Sequence, residues 1–580
     1  MKVLNQVFSI LMVLIIAFSA TACGSESNIS QEVTQEESTT QKSIVSEDTT
    51  YETLLFDTSF VHTLDVTIAD GDWADLLANP TEKTKYKVNV TIDGETVEKV
   101  SFATKGNSSL SQVANDPDSN RYSFKINFGK YVDGQTYYGL NKLNLSNIYA
   151  DATYMKDYIS YEIFRQAGVE APLTSYVWLT INGEDQGLYL AIEDISESYL
   201  DRVNEGEGVL YKPEAEALDV VDADVAQPAQ GKAPMAPGGQ PPQGGMPPGQ
   251  GGMPNGGQMP MPPDAGSEMP SMPEGQMPGI PGDSTPSDDQ TFPDDAQMPS
   301  MPQGGMQMPG GMPNGSSSAN GADLKYTDDE ISSYSDIFDN NETDADEEDQ
   351  QQVILALKAL SENEDLETYL DTEEIIRYFV AHNFVLNYDS YIGTMLHNYY
   401  LYENDGRLAM LPWDYNEGFG AFSRGAGQST STTLVNTGID TPLSGATEAD
   451  RPMWNWIVSN DEYLEQYHEI FSELISTYFE SGKYAEDIDA VYDMIQPYVE
   501  KDPTAFCTGD QFRTAVSTLK SFCELRSESI RAQLDGTLAT ATTAQTSESQ
   551  IDASNISLND MSTKSGGGGH MPGAIGGGTP

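Results

Sequence analysis

Residues 219 to 323 are dominated by Met-Pro, Gly-Gly and Gln, and no packed core can be built from that composition. Whatever folds must therefore be assembled from the chain on either side. Upstream, residues 51–218 read mainly as strands, and downstream, 324–536 read mainly as helices. Residues able to handle protons, metals and anions occur in both stretches. The insert is thus expected to interrupt one fold, and the class is α+β.

Turn chemistry supplies the upstream strands. Asp93-Gly94 lies between 87–92 and 95–102, and Asn182-Gly183 lies between 176–181 and 187–193, each pair a hairpin signal. Between them, Tyr154, Tyr158, Ile159 and Ile163 recur at helical spacing over 151–167, with Gly168 as the stop. Downstream, Asp371 to Glu374 reads as a capping box. It opens a helix lined by Ile375, Ile376, Phe379, Val380 and Phe384. Further helices are expected over 463–478, 484–498 and 509–534.

The ends look different. Residues 1–23 combine Lys2, an apolar run from Val7 to Phe18 and small residues before Cys23, the pattern of a secretory signal. Ala20, Thr21 and Ala22 before Cys23 resemble a lipobox, which makes Cys23 a lipidation site; plain secretion with Cys23 removed is the alternative. The expected location is extracytoplasmic, lipid-anchored to the bacterial cell membrane. Residues 24–50 read as a flexible spacer and 537–580 as a disordered Gly/Ser/Thr tail. Cys507 and Cys523 either form a disulfide, as exported pairs do, or stay as buried thiols.

With 90 acidic against 29 basic residues the formal net charge is -61. Such a field repels nucleic acid and anionic lipid headgroups, so neither is an expected partner. It repels nucleotides too. Any ATP site must be a local cluster of Lys or Arg, helped by divalent cations. With 5 His, no HExxH and no GxSxG, zinc-peptidase and serine-hydrolase chemistry lack their usual parts.

Asp405-Gly406, between the β-prone runs 398–403 and 407–413, predicts a hairpin. Folding back at that turn sets Asn398 opposite Trp413 and Asp414, with Asp389 just upstream. An Asp before a hairpin, an Asn entering it and an Asp leaving it is the order in which protein kinases place catalytic base and metal ligands. Asp389 is accordingly the candidate base, while Asp414 and Asn398 are candidate ligands for Mg²⁺ or Mn²⁺. Taken singly, a loop Asp more often caps its own backbone. Lys105, in the loop Lys105-Gly106-Asn107-Ser108-Ser109, suits an anion. Lys125 and Lys142 sit in β-prone runs where a buried Lys needs an anionic partner, and Glu193 is the expected one. Lys212 is a further phosphate candidate and Trp413 a candidate nucleotide wall. Neither GxGxxG nor HRD occurs, so an ordinary protein kinase is excluded.

In order, KGNSS, YSFKINF, GLNKLNLSN, DATYMKDYISYEIFRQAGVEAP, YVWLTINGEDQGLYLAIEDI, GVLYKPE, NYYLY and LPWDYNEGFG resemble the CotH kinase family of spore coat protein H-like proteins. The resemblance implies an atypical protein-kinase-like bilobal fold, with a sheet-rich N-terminal lobe and a helix-rich C-terminal lobe. It implies ATP and Mg²⁺ or Mn²⁺ as cofactors, and Ser or Thr of coat or surface proteins as acceptors, with basic partners favoured by the acidic surface. Carried over, Asp389 is the catalytic Asp, Asp414 the metal ligand and Asn398 the second metal-side residue. Lys105 stands where the family commonly has Arg, and Lys125, Lys142 and Glu193 fall in its nucleotide-side motifs. Two other readings of the same scaffold are a catalytically silent surface adhesin or coat-assembly module, and nucleotidylation.

Overall fold

The computed structural model describes residues 50–215, 320–422 and 430–563. Cys23, the signal segment, most of the insert and residues 564–580 lie outside the described residues.

Seven strands close into a barrel in the order β1-β2-β3-β4-β5-β7-β6. They are β1 (His62–Thr67), β2 (Tyr86–Ile92), β3 (Glu95–Lys105), β4 (Ser123–Asn127), β5 (Lys142–Ser146), β6 (Thr174–Ile181) and β7 (Glu184–Glu193). Seven is odd, so strand directions cannot alternate all the way round. The one parallel junction falls where β6 closes on β1, with Leu64 against Leu179. Both predicted hairpins form, joining Ile92 to Glu95 and Ile181 to Glu184. At Asp93-Gly94 the φ values are 48 and 89°, and at Asn182-Gly183 they are 52 and 79°, the left-handed pair that matches strand twist. Alternation sends Val88, Val90, Phe102, Phe124, Ile126 and Leu145 inward; the Phe102 and Phe124 rings stack with centroids 4.5 Å apart. The barrel is a filled core, as its small strand number requires.

A second sheet, in the order β10-β9-β8, joins the two sides of the insert: β8 (Val209–Tyr211) pairs with β9 (Tyr399–Asn404), which pairs with β10 (Arg407–Pro412). Val209 lies opposite Glu403. Around this sheet gather helices Lys156–Gln166, Glu347–Glu362, Thr372–Val385, Asp461–Leu474, Lys483–Val499 and Gly509–Leu534. The Asp371 carboxylate caps Thr372–Val385 by accepting from Glu374 N at 3.2 Å. The core these helices build also takes Ile159, Ile163 and Phe164 from upstream of the insert. Its boundary therefore does not coincide with the division of the sequence at 218 and 324.

The disordered tail expected over 537–580 needs correction over 537–563. Leu538, Ala553, Leu558 and Met561 are buried, and the stretch packs along Gly509–Leu534 as a strap. The strap's polar composition misleads because its backbone is tied directly: Ala152 N donates to Met561 O, Ser431 Oγ to Ile556 O and Asn436 Nδ2 to Ile551 O. The start of the helical half likewise moves into the stretch assigned to the insert, since Ala322 is buried. Cys507 and Cys523 are both buried free thiols; burial pushes Cys507 up to about 12. No described helix is long and apolar enough to cross a membrane.

Candidate functional site

The site forms where the outer face of the barrel meets the open end of the β9–β10 hairpin. The hairpin turn is the predicted one, with φ of 51° at Asp405 and 80° at Gly406. Its ladder ends at Tyr399 opposite Pro412. Beyond that pair, Asn398 and Asp414 both turn left-handed, with φ of 59 and 53°. Asn and Asp enter that region more readily than other non-glycine residues, and at Asp414 neighbouring groups fix it. At Asp414, N donates to Tyr161 Oη at 3.0 Å and O accepts from Asn387 Nδ2 at 3.1 Å; the Tyr415 N–H reaches Asp157 Oδ1 at 2.7 Å. Helix Lys156–Gln166 thus carries part of the support.

On the barrel side, register does the placing. Ala103 pairs with Lys125 and Lys125 with Asn144, so Lys105, Lys125, Asn144 and Lys142 share the face opposite the barrel interior. Lys125 Nζ meets Asp194 Oδ2 at 2.9 Å, and Asn144 Nδ2 donates to the same oxygen at 2.7 Å. Burial alone would raise the Asp194 carboxyl, but Lys125 and these hydrogen bonds hold it below the usual range. Asp194 Oδ1 is buried without a hydrogen-bond partner. Lys142 lies 3.4 Å from Glu197 and 3.9 Å from Glu342, and Lys212 lies 2.6 Å from Glu214. Lys105 Nζ sits 5.0 Å from the centroid of the Trp413 ring and faces Asp414. Burial pushes its ammonium down against the opposing pull of Asp414.

Glu193 is not the partner of these lysines. It lies opposite Leu143, whose side chain is in the barrel interior, so alternation directs it away from the lysine face. There it accepts from Tyr51 Oη at 2.6 Å and Leu173 N at 3.0 Å, and pairs with Arg202 at 2.8 Å. Its neighbour Asp194 occupies the expected role. Trp413, buried to 6% exposure, holds Lys105 against one ring and meets Tyr400 edge-on.

Around Asp389, His397 Nε2 lies 2.8 Å from Oδ1, and Asn398 Nδ2 donates to the Asp389 backbone oxygen at 2.8 Å and to Oδ2 at 3.3 Å. With its nitrogen so engaged, Asn398 keeps its amide oxygen as the side-chain acceptor that could serve a cation. Asp414 is desolvated, which raises its carboxyl, while Lys105 lowers it. Asp157 behind it is pushed up by burial and by Asp414. Among the described residues, no cluster of three or more His, Cys, Asp and Glu is arranged around a common metal position. One carboxylate and one amide oxygen still suit a hard cation that completes its shell with phosphate and water.

The structure thus brings together Lys105, Lys125, Lys142, Lys212, Trp413, Asp414, Asn398 and Asp389 and sets Glu193 apart. It adds Asp194, Glu342, His397, Asp157, Asn387 and His382, which sequence reasoning missed. His397 was adjacent to a chosen residue and thus findable. Asp194 was hidden because both faces of β7 are apolar, so parity could not say which acid faces Lys125.

The model of the family described as CotH kinase protein matches residues 102–236 and 309–530, more than half of the chain. The chain belongs to that family. It is also similar to Inner spore coat protein H of Bacillus subtilis (strain 168), 26% identical over 94 residues, which is 16% of this chain and 25% of that protein.

Proposed function

We propose that this chain is an atypical, kinase-like phosphotransferase that moves the terminal phosphoryl group of ATP, with Mg²⁺ or Mn²⁺, to Ser or Thr hydroxyls of coat or surface proteins. The observation that carries this reading is the grouping of Lys105, Lys125, Lys142 and Lys212, of which Lys105 and Lys212 act on Asp414, itself beside Asp389, in a chain of net charge -61. Four lysines gathered against so strong an opposing field suit a polyanion such as nucleotide phosphates. The barrel and helical parts act in this reading as the two lobes of a kinase-like bilobal arrangement. Lys105, Lys125, Lys142 and Lys212 hold phosphate oxygens, while Asp194 and Glu342 orient the ammonium groups. Asp389, aimed by His397 and Asn398, accepts the proton of the acceptor hydroxyl or orients it. Asp414 and Asn398 hold the divalent ion, which when bound neutralises charge on the phosphates. The similarity to a spore coat protein supports a coat or extracellular location, with anchoring through Cys23 as part of the proposal. The acidic surface favours basic, Ser/Thr-rich acceptors.

The test is incubation of the purified chain with terminally labelled ATP, Mg²⁺ or Mn²⁺ and a basic Ser-rich protein. Asp389→Asn is expected to lower transfer by roughly 10²–10⁴-fold while sparing ATP binding, and Asp414→Ala to weaken metal-dependent ATP binding. No transfer and no metal-dependent nucleotide binding by the wild type would remove this reading and leave an adhesin or coat-assembly module. Full activity in Asp389→Asn would show that another group takes the proton.

A further inference from the structure

Asp389 and Asp414 lie on separate loops, divided in sequence by the whole β9–β10 hairpin, and neither is in a strand or helix. Something other than the ladder must set their separation. Two buried side chains bridge the loops. Asn387 accepts from Asp389 N through Oδ1 at 3.2 Å and donates through Nδ2 to Asp414 O at 3.1 Å. Its amide orientation is dictated, because an N–H requires the oxygen and a C=O requires the nitrogen. One residue farther along each loop, His382 repeats the pattern: Nε2 lies 3.1 Å from Ser390 Oγ and Nδ1 lies 2.6 Å from Tyr415 Oη. Asn387, His382 and Ser390 are all 0% exposed, and so is Tyr415. His382 stacks on Tyr378 at an interplanar angle of 9°, which fixes its ring plane.

We infer that Asn387 and His382 are positioning residues, a double clamp that sets the Asp389 loop at a fixed distance from the Asp414 loop. The consequence for chemistry rests on the phosphotransfer reading above; the clamp itself does not. Each clamp is only one polar group wide, so the loops cannot separate without stranding buried donors and acceptors. A general base and a metal ligand acting on one phosphoryl group need that rigidity, since a displacement of about 1 Å costs about 10²-fold in rate. Satisfied core polar groups with no positioning role would lower stability when removed and leave the balance between binding and turnover unmoved.

The test uses the full chain with Asn387→Ala and, separately, His382→Phe, which retains an aromatic ring on Tyr378. Asn387→Ala is expected to lower kcat by about 100-fold, with the Kd for Mn²⁺-ATP changing by less than about threefold. His382→Phe is expected to lower kcat by about 10-fold with the same unchanged Kd. Unchanged kcat, or a loss mirrored in Kd, would overturn the inference. Hydrogen exchange supplies the readout that needs no activity. In Asn387→Ala, peptides covering 387–398 and 410–418 should gain exchange together while those covering 86–105 keep their protection. Faster exchange in 387–398 alone would overturn the clamp, and a wild type inactive toward ATP would sink the phosphotransfer reading while exchange still decided the clamp.

Discussion

Arg121 and Lys105 both carry a cation into the seam between the barrel and the rest of the molecule, and the fold treats them in opposite ways. Arg121 is fully engaged. Nε donates to Asn147 O at 3.0 Å, Nη1 reaches Gln186 O, Asp502 Oδ2 at 2.7 Å and Thr504 Oγ1 at 2.6 Å, and Nη2 donates to Leu188 O. The side chains of Arg121 and Asp502 are shut off from solvent. Gly187 permits this approach: a Cβ there would fall 2.1 Å from Asp502 Oδ1. Lys105 instead rests on the Trp413 ring and faces Asp414, with no ion pair found for it among the described residues. A guanidinium with a partner at each of its three nitrogens fastens two parts of a fold, whereas an ammonium left short of partners is available to a ligand.

If the Arg121 side of the seam is structural, its neighbours should prove expensive to lose. Ending the chain at Gly536 removes the strap that joins Ala152 to helix Gly509–Leu534, along with buried Leu538, Leu558 and Met561. This should lower stability by roughly 5 kcal/mol, read as a fall in the urea midpoint; an unchanged midpoint would return residues 537–563 to the status of a tail. Next in size, Arg121→Met strands the Asp502 carboxylate and should cost about 4 kcal/mol. A change below about 1 kcal/mol would dissolve the contrast with Lys105.

Asp157 tests the site side through pH. Burial and the facing Asp414 push its carboxyl up to about 8, so the folded protein keeps a proton that the unfolded chain releases in the ordinary carboxylate range. Stability from this group is therefore fully present below the ordinary carboxyl value of 3.8, declines as pH rises above it and is lost once pH passes about 8. Asp157→Asn, which retains an acceptor for Tyr415 N–H, should flatten that decline by roughly 4 kcal/mol between pH 5 and 9. Parallel curves for the two proteins would show that Asp157 is not held protonated. The smallest effect on stability belongs to Lys105→Met, expected to leave the melting temperature equal or raised while weakening nucleotide binding by at least about 10-fold. A large drop in melting temperature would make Lys105 a second fastener and erase the comparison.

Much of the fold was legible locally. The three Asx-Gly pairs read as hairpin turns, Asp93-Gly94, Asn182-Gly183 and Asp405-Gly406, each marked one, because left-handed φ at two successive residues is a property of the turn itself. The helices at 461–474, 483–499 and 509–534 followed from their apolar spacing. Closure of the barrel was not legible, since pairing of β6 with β1 joins residues far apart in sequence. The strap was misread for a related reason: few apolar residues recur there, and its order comes from backbone groups meeting Ser431, Asn436 and Ala152. At the site, residue types and their order identified Asp389, Asn398 and Asp414 and most of the lysines. Partner assignment failed at Glu193, where a shift of one residue changes the face.

By itself the sequence determined the local parts: strands and helices by periodicity, turns by Asx-Gly chemistry, and a scarce set of lysines beside three candidate Asp and Asn groups. Only the tertiary structure decided which acid faces which lysine, that His397 attends Asp389, and that Asn387 and His382 bridge two loops. The physical reason is that periodicity and turn geometry act over a few residues, whereas a carboxylate's partners are set by strand register and by packing between segments that the chain keeps far apart.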